Sequence, residues 1–266
     1  MTESSSTVPA EDAAYFDAFP DLFDRFTRIW DGISSSFDDW ILAHLPQRVA
    51  SAVDLGCGAG RHSILLADHA DDVLAVDVAD RMLDIARAER ARPNIDYQRR
   101  GVLDVAPEDG PFDVVLSVHT LHHVGDPGIV LPHARSLLAP GGWLIVADIV
   151  DPGGWPTQEF HLDRAFTDAR VVYHLTGDGE AAADTLRLLL HPRWLQLTRH
   201  DTPLTRVAFH AAYEQAFPGA EFADDLNPIM CGAVWRAPAR LSPDHDLRIC
   251  RHRGLLSRSV RERGRR

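Results

Sequence analysis

Val53-Asp54-Leu55-Gly56-Cys57-Gly58-Ala59-Gly60-Arg61 decides the fold of this 266-residue chain. An apolar strand runs into a glycine-rich turn and leaves it as a helix. Glycine tolerates positive φ and puts no Cβ between the backbone and a ligand. A strand that enters a helix through such a turn directs free N–H groups and the positive helix end at whatever lies there. A second apolar run, Val73-Leu74-Ala75-Val76, ends in Asp77, 17 residues past Gly60. A carboxylate at that strand end is placed to accept hydrogen bonds from a ribose diol.

Two kinds of nucleoside cofactor suit this geometry. The dinucleotide fingerprint has glycines at its first, third and sixth positions. Here they stand first, third and fifth, Arg61 takes the sixth place, and Asp54 precedes the loop. Both departures resemble the first motif of the class I S-adenosylmethionine (SAM) methyltransferases, hydrophobic-Asp-hydrophobic-Gly-x-Gly-x-Gly. The following 90 or so residues resemble the same family. Val78-Ala79-Asp80-Arg81-Met82-Leu83 is similar to its second helix start, with Asp80 in the N-cap place. Ile95-Asp96-Tyr97-Gln98 and Phe112-Asp113-Val114-Val115-Leu116-Ser117 read as the third and fourth strands. Leu137-Leu138-Ala139-Pro140-Gly141-Gly142 resembles the family's turn into a fifth strand, Trp143 to Ala147.

The resemblance implies an α/β fold: a seven-stranded Rossmann-like methyltransferase sheet, mostly parallel with an antiparallel last strand. It implies N-terminal cap helices over residues 1–48, a SAM-binding core over 49–150 and a helical lid insertion over 151–216. The final strands of the core follow over 217–238, and 239–266 forms a basic, flexible tail. Within the lid, Glu180 to Leu190 reads as a helix stopped by His191-Pro192, and Asn227 to Trp235 reads as the seventh strand. The resemblance also carries a cofactor set onto this chain: Asp54, Gly56, Gly58, Gly60, Asp77, Val78, Met82, Leu103, Asp104 and Ser117, all facing S-adenosyl-L-methionine.

Composition bounds the rest. Hydrophobic content of 45% with 25% charged residues is ordinary for a globular chain. A net charge of −12 speaks against a general nucleic-acid binder. No apolar run reaches the roughly 18 residues of a membrane span. The polar start and three scattered cysteines fit the cytoplasm. The chain contains no lysine, so every basic position is arginine. Partners are therefore a small-molecule substrate and, at most, a second copy: monomer or homodimer.

Methyl transfer from a sulfonium is an in-line displacement, and the protein's task is alignment. A hydroxyl or ammonium acceptor must also lose a proton, for which histidine is the natural base. His119 and His123, just past the fourth strand, are the candidates, with His122 between them. Trp30, Tyr173 and Trp194 are the aromatic candidates for the substrate pocket. Asp148 and Asp151 stand where metal-dependent catechol enzymes place acidic ligands, yet no metal is expected. Ser117-Val118-His119-Thr120 replaces the Asn-Pro-Pro-Tyr run of base and amide methylating enzymes. The expectation is O- or N-methylation of a small metabolite. Two alternatives use the same scaffold: a non-methylating SAM-binding enzyme, and a SAM-binding regulator without turnover.

Overall fold

The computed structural model describes residues 15–34, 36–153, 157–201 and 203–239. The basic tail beyond Arg240 lies outside them. Seven strands form one sheet: β1 (Val49–Leu55), β2 (Ala70–Asp77), β3 (Ile95–Arg99), β4 (Phe112–Val118), β5 (Leu138–Ile149), β6 (Glu221–Ala223) and β7 (Met230–Arg236). Their order is β3-β2-β1-β4-β5-β7-β6. The first five are mutually parallel, and β7 runs antiparallel to both β5 and β6. The seventh strand thus starts three residues later than the sequence suggests, because Asn227 opens a turn in which its carbonyl accepts the Met230 N–H.

The central strands are apolar along nearly their whole length, as strands covered on both faces must be. Val53, Leu55, Val115, Leu144 and Val146 pack under one layer of helices, and Ala52, Val114, Leu116 and Ile145 under the other. The order reverses between β1 and β4, which opens a crevice at the carboxyl ends of the strands.

Two N-terminal helices cover that crevice. They are α1 (Pro20–Ile33) and α2 (Ser36–His44). Proline at the first turn pre-sets α1 for helix without wasting a donor. Asp24 of α1 meets Arg90 at 2.7 Å, both side chains under a tenth exposed. Arg90 in turn donates to the Ala59 carbonyl at 3.0 Å. At the other end of α1, Arg61 reaches Asp31 at 2.5 Å and Asp38 of α2 at 2.6 Å. The cap is therefore bolted to the glycine loop at both ends.

The core helices are α3 (Arg61–Ala67), α4 (Asp80–Glu89), α5 (Leu121–Val124) and α6 (Pro127–Ser136). The lid segment forms α7 (Gln158–Thr176), α8 (Gly179–Leu189), α9 (Pro192–His200) and α10 (Arg206–Ala216). Gly177 in the left-handed conformation ends α7, and the Asp178 carboxylate accepts from Glu180 N–H at 2.8 Å to start α8. One expected cap moves. Ala79 holds the N-cap place of α4 without a side-chain bond, and Asp80 lies inside the first turn. There Asp80 pairs with Arg99 at 3.0 Å. The Asp77 carboxylate, two residues upstream, takes the Ala79 N–H instead.

No helix among the described residues is long and apolar enough to cross a membrane.

Candidate active site

The three loop glycines do different work. A Cβ on Gly56 would collide with the side chain of Thr120, and one on Gly60 with the Tyr97 hydroxyl. Both are glycine because protein fills the space. Gly58 has φ +52 and open space beside it, its nearest neighbour being Met82 Cε at 3.6 Å from where a Cβ would stand. Gly58 is the position where a ligand can lie on bare backbone.

Asp77 faces the same space. One carboxylate oxygen accepts from Gly58 N–H at 2.8 Å and the other from Ala79 N–H at 2.8 Å. Each oxygen keeps a lone pair for a further donor. Desolvation pushes the Asp77 pKa up, and the backbone N–H bonds oppose that. Val78 is half-buried beside it, and Met82 is buried beneath the loop. Residue types and spacing thus fit the ribose end of SAM: a carboxylate at the β2 end opposite an unobstructed glycine.

Other members of the expected cofactor set are placed behind the loop or at its margin. Asp54 is 1% exposed and accepts the Ser63 hydroxyl at 2.7 Å. Burial raises its pKa to about 6. It braces the start of α3 rather than presenting a free carboxylate. Ser117 spends its hydroxyl on the Leu55 carbonyl at 2.9 Å, stitching β4 to β1. Leu103 packs against the core, and Asp104 caps its own turn by accepting Gly101 N–H at 3.1 Å.

Three histidines follow β4, each in a different environment. His119 has φ +54, a left-handed backbone that a non-glycine residue adopts at a cost of about 1–3 kcal/mol. Its ring lies edge-on to Phe37 at 5.9 Å. Its side chain is exposed to solvent, and desolvation by the protein around it shifts its pKa downward. His122 donates from Nδ1 to Asp148 Oδ1 at 2.6 Å, and Asp148 also accepts the His122 backbone N–H at 2.9 Å. Burial pulls the His122 pKa down, but the Asp148 carboxylate outweighs it and the net shift is upward. Burial likewise opposes the charged form of Asp148, and His122 overrides it, for a net shift downward. His123 bonds through Nδ1 to Asp201 Oδ1 at 2.8 Å. The two rings are 3.8 Å apart at 39°.

Aromatic rings close the space between cap and lid. Phe16 and Phe23 pack on Ala59, Ala79 and Met82 of the loop region. Phe16 also meets His123 edge-on at 5.8 Å. Trp194 of α9 lies 6.0 Å from Phe23 and 6.1 Å from Phe19. The Trp30 indole N–H is buried and finds no partner among the described residues, and its ring lies 6.3 Å from Phe26. Tyr173 is 57% exposed on α7, at the flank of the buried stripe formed by Ala169 and Val172, and the structure does not bring it together with the other site residues.

Asp148 and Asp151 are engaged within the protein. The former holds His122, and the latter accepts Gly153 N–H at 2.7 Å and bridges to Thr205. A second polar cluster, His210, Asp224 and Cys231, already holds a cation of its own. Arg206 contacts Asp224 at 2.9 Å and the Cys231 sulfur at 3.2 Å. Sequence reasoning missed Asp201 as a site residue. It ends α9 and lies 78 residues from its partner, and no local spacing signals such a pair.

Residues 53–146 match the model of a family described as a methyltransferase domain. Two ubiquinone biosynthesis O-methyltransferases from strains of Cereibacter sphaeroides are similar to this chain. One is 35% identical over 127 residues, covering 47% of this chain and 51% of the relative. The other is 32% identical over 164 residues, covering 55% and 66%. The chain thus spans between half and just under two thirds of these relatives' lengths. Among solved structures, a DhpI–SAH complex superposes with a TM-score of 0.59 at 18% identity, covering 90% of this chain and 100% of that one. At that identity the likeness speaks for the fold.

Proposed function

We propose that this chain is a class I SAM-dependent methyltransferase that methylates an oxygen of a small organic acceptor, with His123 as general base, a reading supported by its methyltransferase-domain match and its O-methyltransferase relatives. Oxygen is favoured over nitrogen because the relatives named above are O-methyltransferases. The observation that carries the proposal is the placement of Phe16. Its ring touches His123 and also packs on Ala59, Ala79 and Met82, so the histidine and the cofactor loop share one wall.

SAM supplies an electrophilic methyl on a sulfonium. Gly58 and Asp77 would hold the nucleoside end, with Val78 and Met82 beside them. Phe16, Phe23 and Trp194 exclude water between cap and lid, which strengthens each polar contact inside. Trp194 forms an apolar wall for the acceptor. His123 would accept the proton of the acceptor hydroxyl, while the methyl–sulfur bond of SAM is the one that breaks in the transfer. His119 has no carboxylate partner among the described residues, and its place against Phe37 suits it to shaping the pocket.

Incubation with SAM and a panel of phenols, alcohols, amines and carboxylates, with S-adenosylhomocysteine read by mass spectrometry, tests the proposal. Product that depends on a hydroxyl acceptor supports it. Product only with amines would move the reaction to nitrogen, and tight SAM binding without product on any acceptor would favour a non-methylating role. His123→Ala should lower kcat by about 10²–10⁴, the range a positioned base supplies, with SAM affinity unchanged.

A further inference from the structure

We propose that Asp201, delivered by the lid, is the positioning residue of His123, fixing the imidazole in the tautomer whose Nε2 is free to accept the substrate proton. This rests on the assignment of His123 as base.

The geometry is specific. Asp201 Oδ1 lies 2.8 Å from His123 Nδ1, and an ionised carboxylate can only accept. The proton of the neutral ring is therefore on Nδ1, and Nε2 carries the lone pair. The Asp201 side chain is only 7% exposed. Buried carboxylates persist where partners compensate their desolvation, and here ring nitrogens of His122 and His123 lie within 4.8 Å of it. His123 is bonded to it, while His122 and His161 feel its charge. His122 is already committed to Asp148, a residue of β5, so its pair forms wholly within the core.

The His123 pair differs in origin. Asp201 is the C-cap of α9, and its own N–H bonds to the Leu197 carbonyl at 3.1 Å. Just beyond it the chain is pinned back onto the core, where Asp151 N–H bonds to the Leu204 carbonyl at 2.9 Å. Trp194, about two turns earlier in α9, packs on Phe19 and Phe23 of the cap. One helix thus carries both the ring that packs on the cap and the carboxylate that holds His123.

The donor atoms of His122, His123 and Asp201 lie within 4.8 Å of one another, a span that a divalent cation could also bridge. The two readings make different demands on Nδ1, since a metal would take the nitrogen or the oxygen that the dyad joins.

Imidazole ¹⁵N NMR on the full chain separates them, with the His123 signals assigned by comparison with His123→Ala. In the wild type, Nδ1 should be protonated and Nε2 pyridine-like at pH 8. Asp201→Ala should shift the ring toward the Nε2–H form, and Asp201→Asn, whose side-chain oxygen still accepts, should restore the wild-type pattern. A wild-type ring already in the Nε2–H form would overturn the proposal without recourse to any variant. So would Zn²⁺ added alone moving the His122 and His123 nitrogens together. On an accepted substrate, Asp201→Ala should lower kcat at least about tenfold with KM for SAM unchanged, and Asp201→Glu should recover part of it. Turnover with an unchanged tautomer removes the dyad and keeps methyl transfer. The predicted tautomer with no product on any acceptor does the reverse.

Discussion

Asp77 and Gly58 are joined by a 2.8 Å hydrogen bond across 19 residues, and both stand at the ends of adjacent strands of one sheet. His123 and Asp201 are joined by a bond of the same length across 78 residues, and they come from different layers of the molecule. The cofactor side is held by backbone donors and by side chains that fill the space beside two of its glycines. Backbone amides in a packed turn cannot swing away, so that half of the site is formed before any ligand arrives. The acceptor side is held by side chains of the cap and lid, whose seating depends on aromatic contacts such as Phe23 with Trp194. On the proposed function the contrast teaches a division of labour: the sheet edge would build the nucleoside cradle, and the surrounding helices would complete the chemistry.

Substitutions on each side break this comparison in different ways. Gly58→Val should have the largest effect. A branched residue at φ +52 is strained and its methyls enter the open space over the loop, so SAM binding by calorimetry should be lost. Retained micromolar binding would mean that the ligand does not lie on Gly58. Asp24→Ala strikes the cap instead, leaving Arg90 buried without its carboxylate. Loss of one partner of a buried pair costs about 3–5 kcal/mol, to be read from urea unfolding. A cost below about 1 kcal/mol would show that the cap is not bolted down as described. Asp77→Ala should weaken SAM binding by about 1–3 kcal/mol, the range for losing a charged hydrogen-bond partner, and unchanged affinity would contradict its ribose role.

The smallest expected effect is a pH dependence. His122 has a raised pKa in the folded state, so its contribution to stability is full below its ordinary value of 6.5 and fades as pH rises through the folded value. Asp148 has a lowered pKa, so its contribution is full above 3.8 and fades as pH falls through the folded value. The margin in Tm of the wild type over Asp148→Asn should therefore be greatest between about pH 4 and 6.5 and shrink toward pH 9. A margin independent of pH would mean that the pair is not ionised.

Much of the glycine loop's geometry was legible in the sequence because its determinants are local. Gly56, Gly58 and Gly60 occupy one turn, and the strand that ends in Asp77 follows at the spacing of one helix. The roles of individual residues were less legible. Asp54 belongs to the motif by position, but packing turns its carboxylate onto Ser63. Asp80 has the chemistry of a cap, yet the chain enters α4 one residue earlier and Asp77 does the capping. Tyr173 has the composition of a pocket residue, and only the docking of α7 shows which of its faces is turned outward. Asp201 was illegible for the opposite reason: its meaning lies in a partner that the fold brings to it from the core.

Transfer of a trideuteromethyl group from labelled SAM tests the central claim most directly. The wild-type protein should place the label on a hydroxyl oxygen of an acceptor from the phenol and alcohol panel, and the product should disappear with His123→Ala while that variant still binds SAM. Label on no acceptor, or undiminished transfer by His123→Ala, would contradict the account.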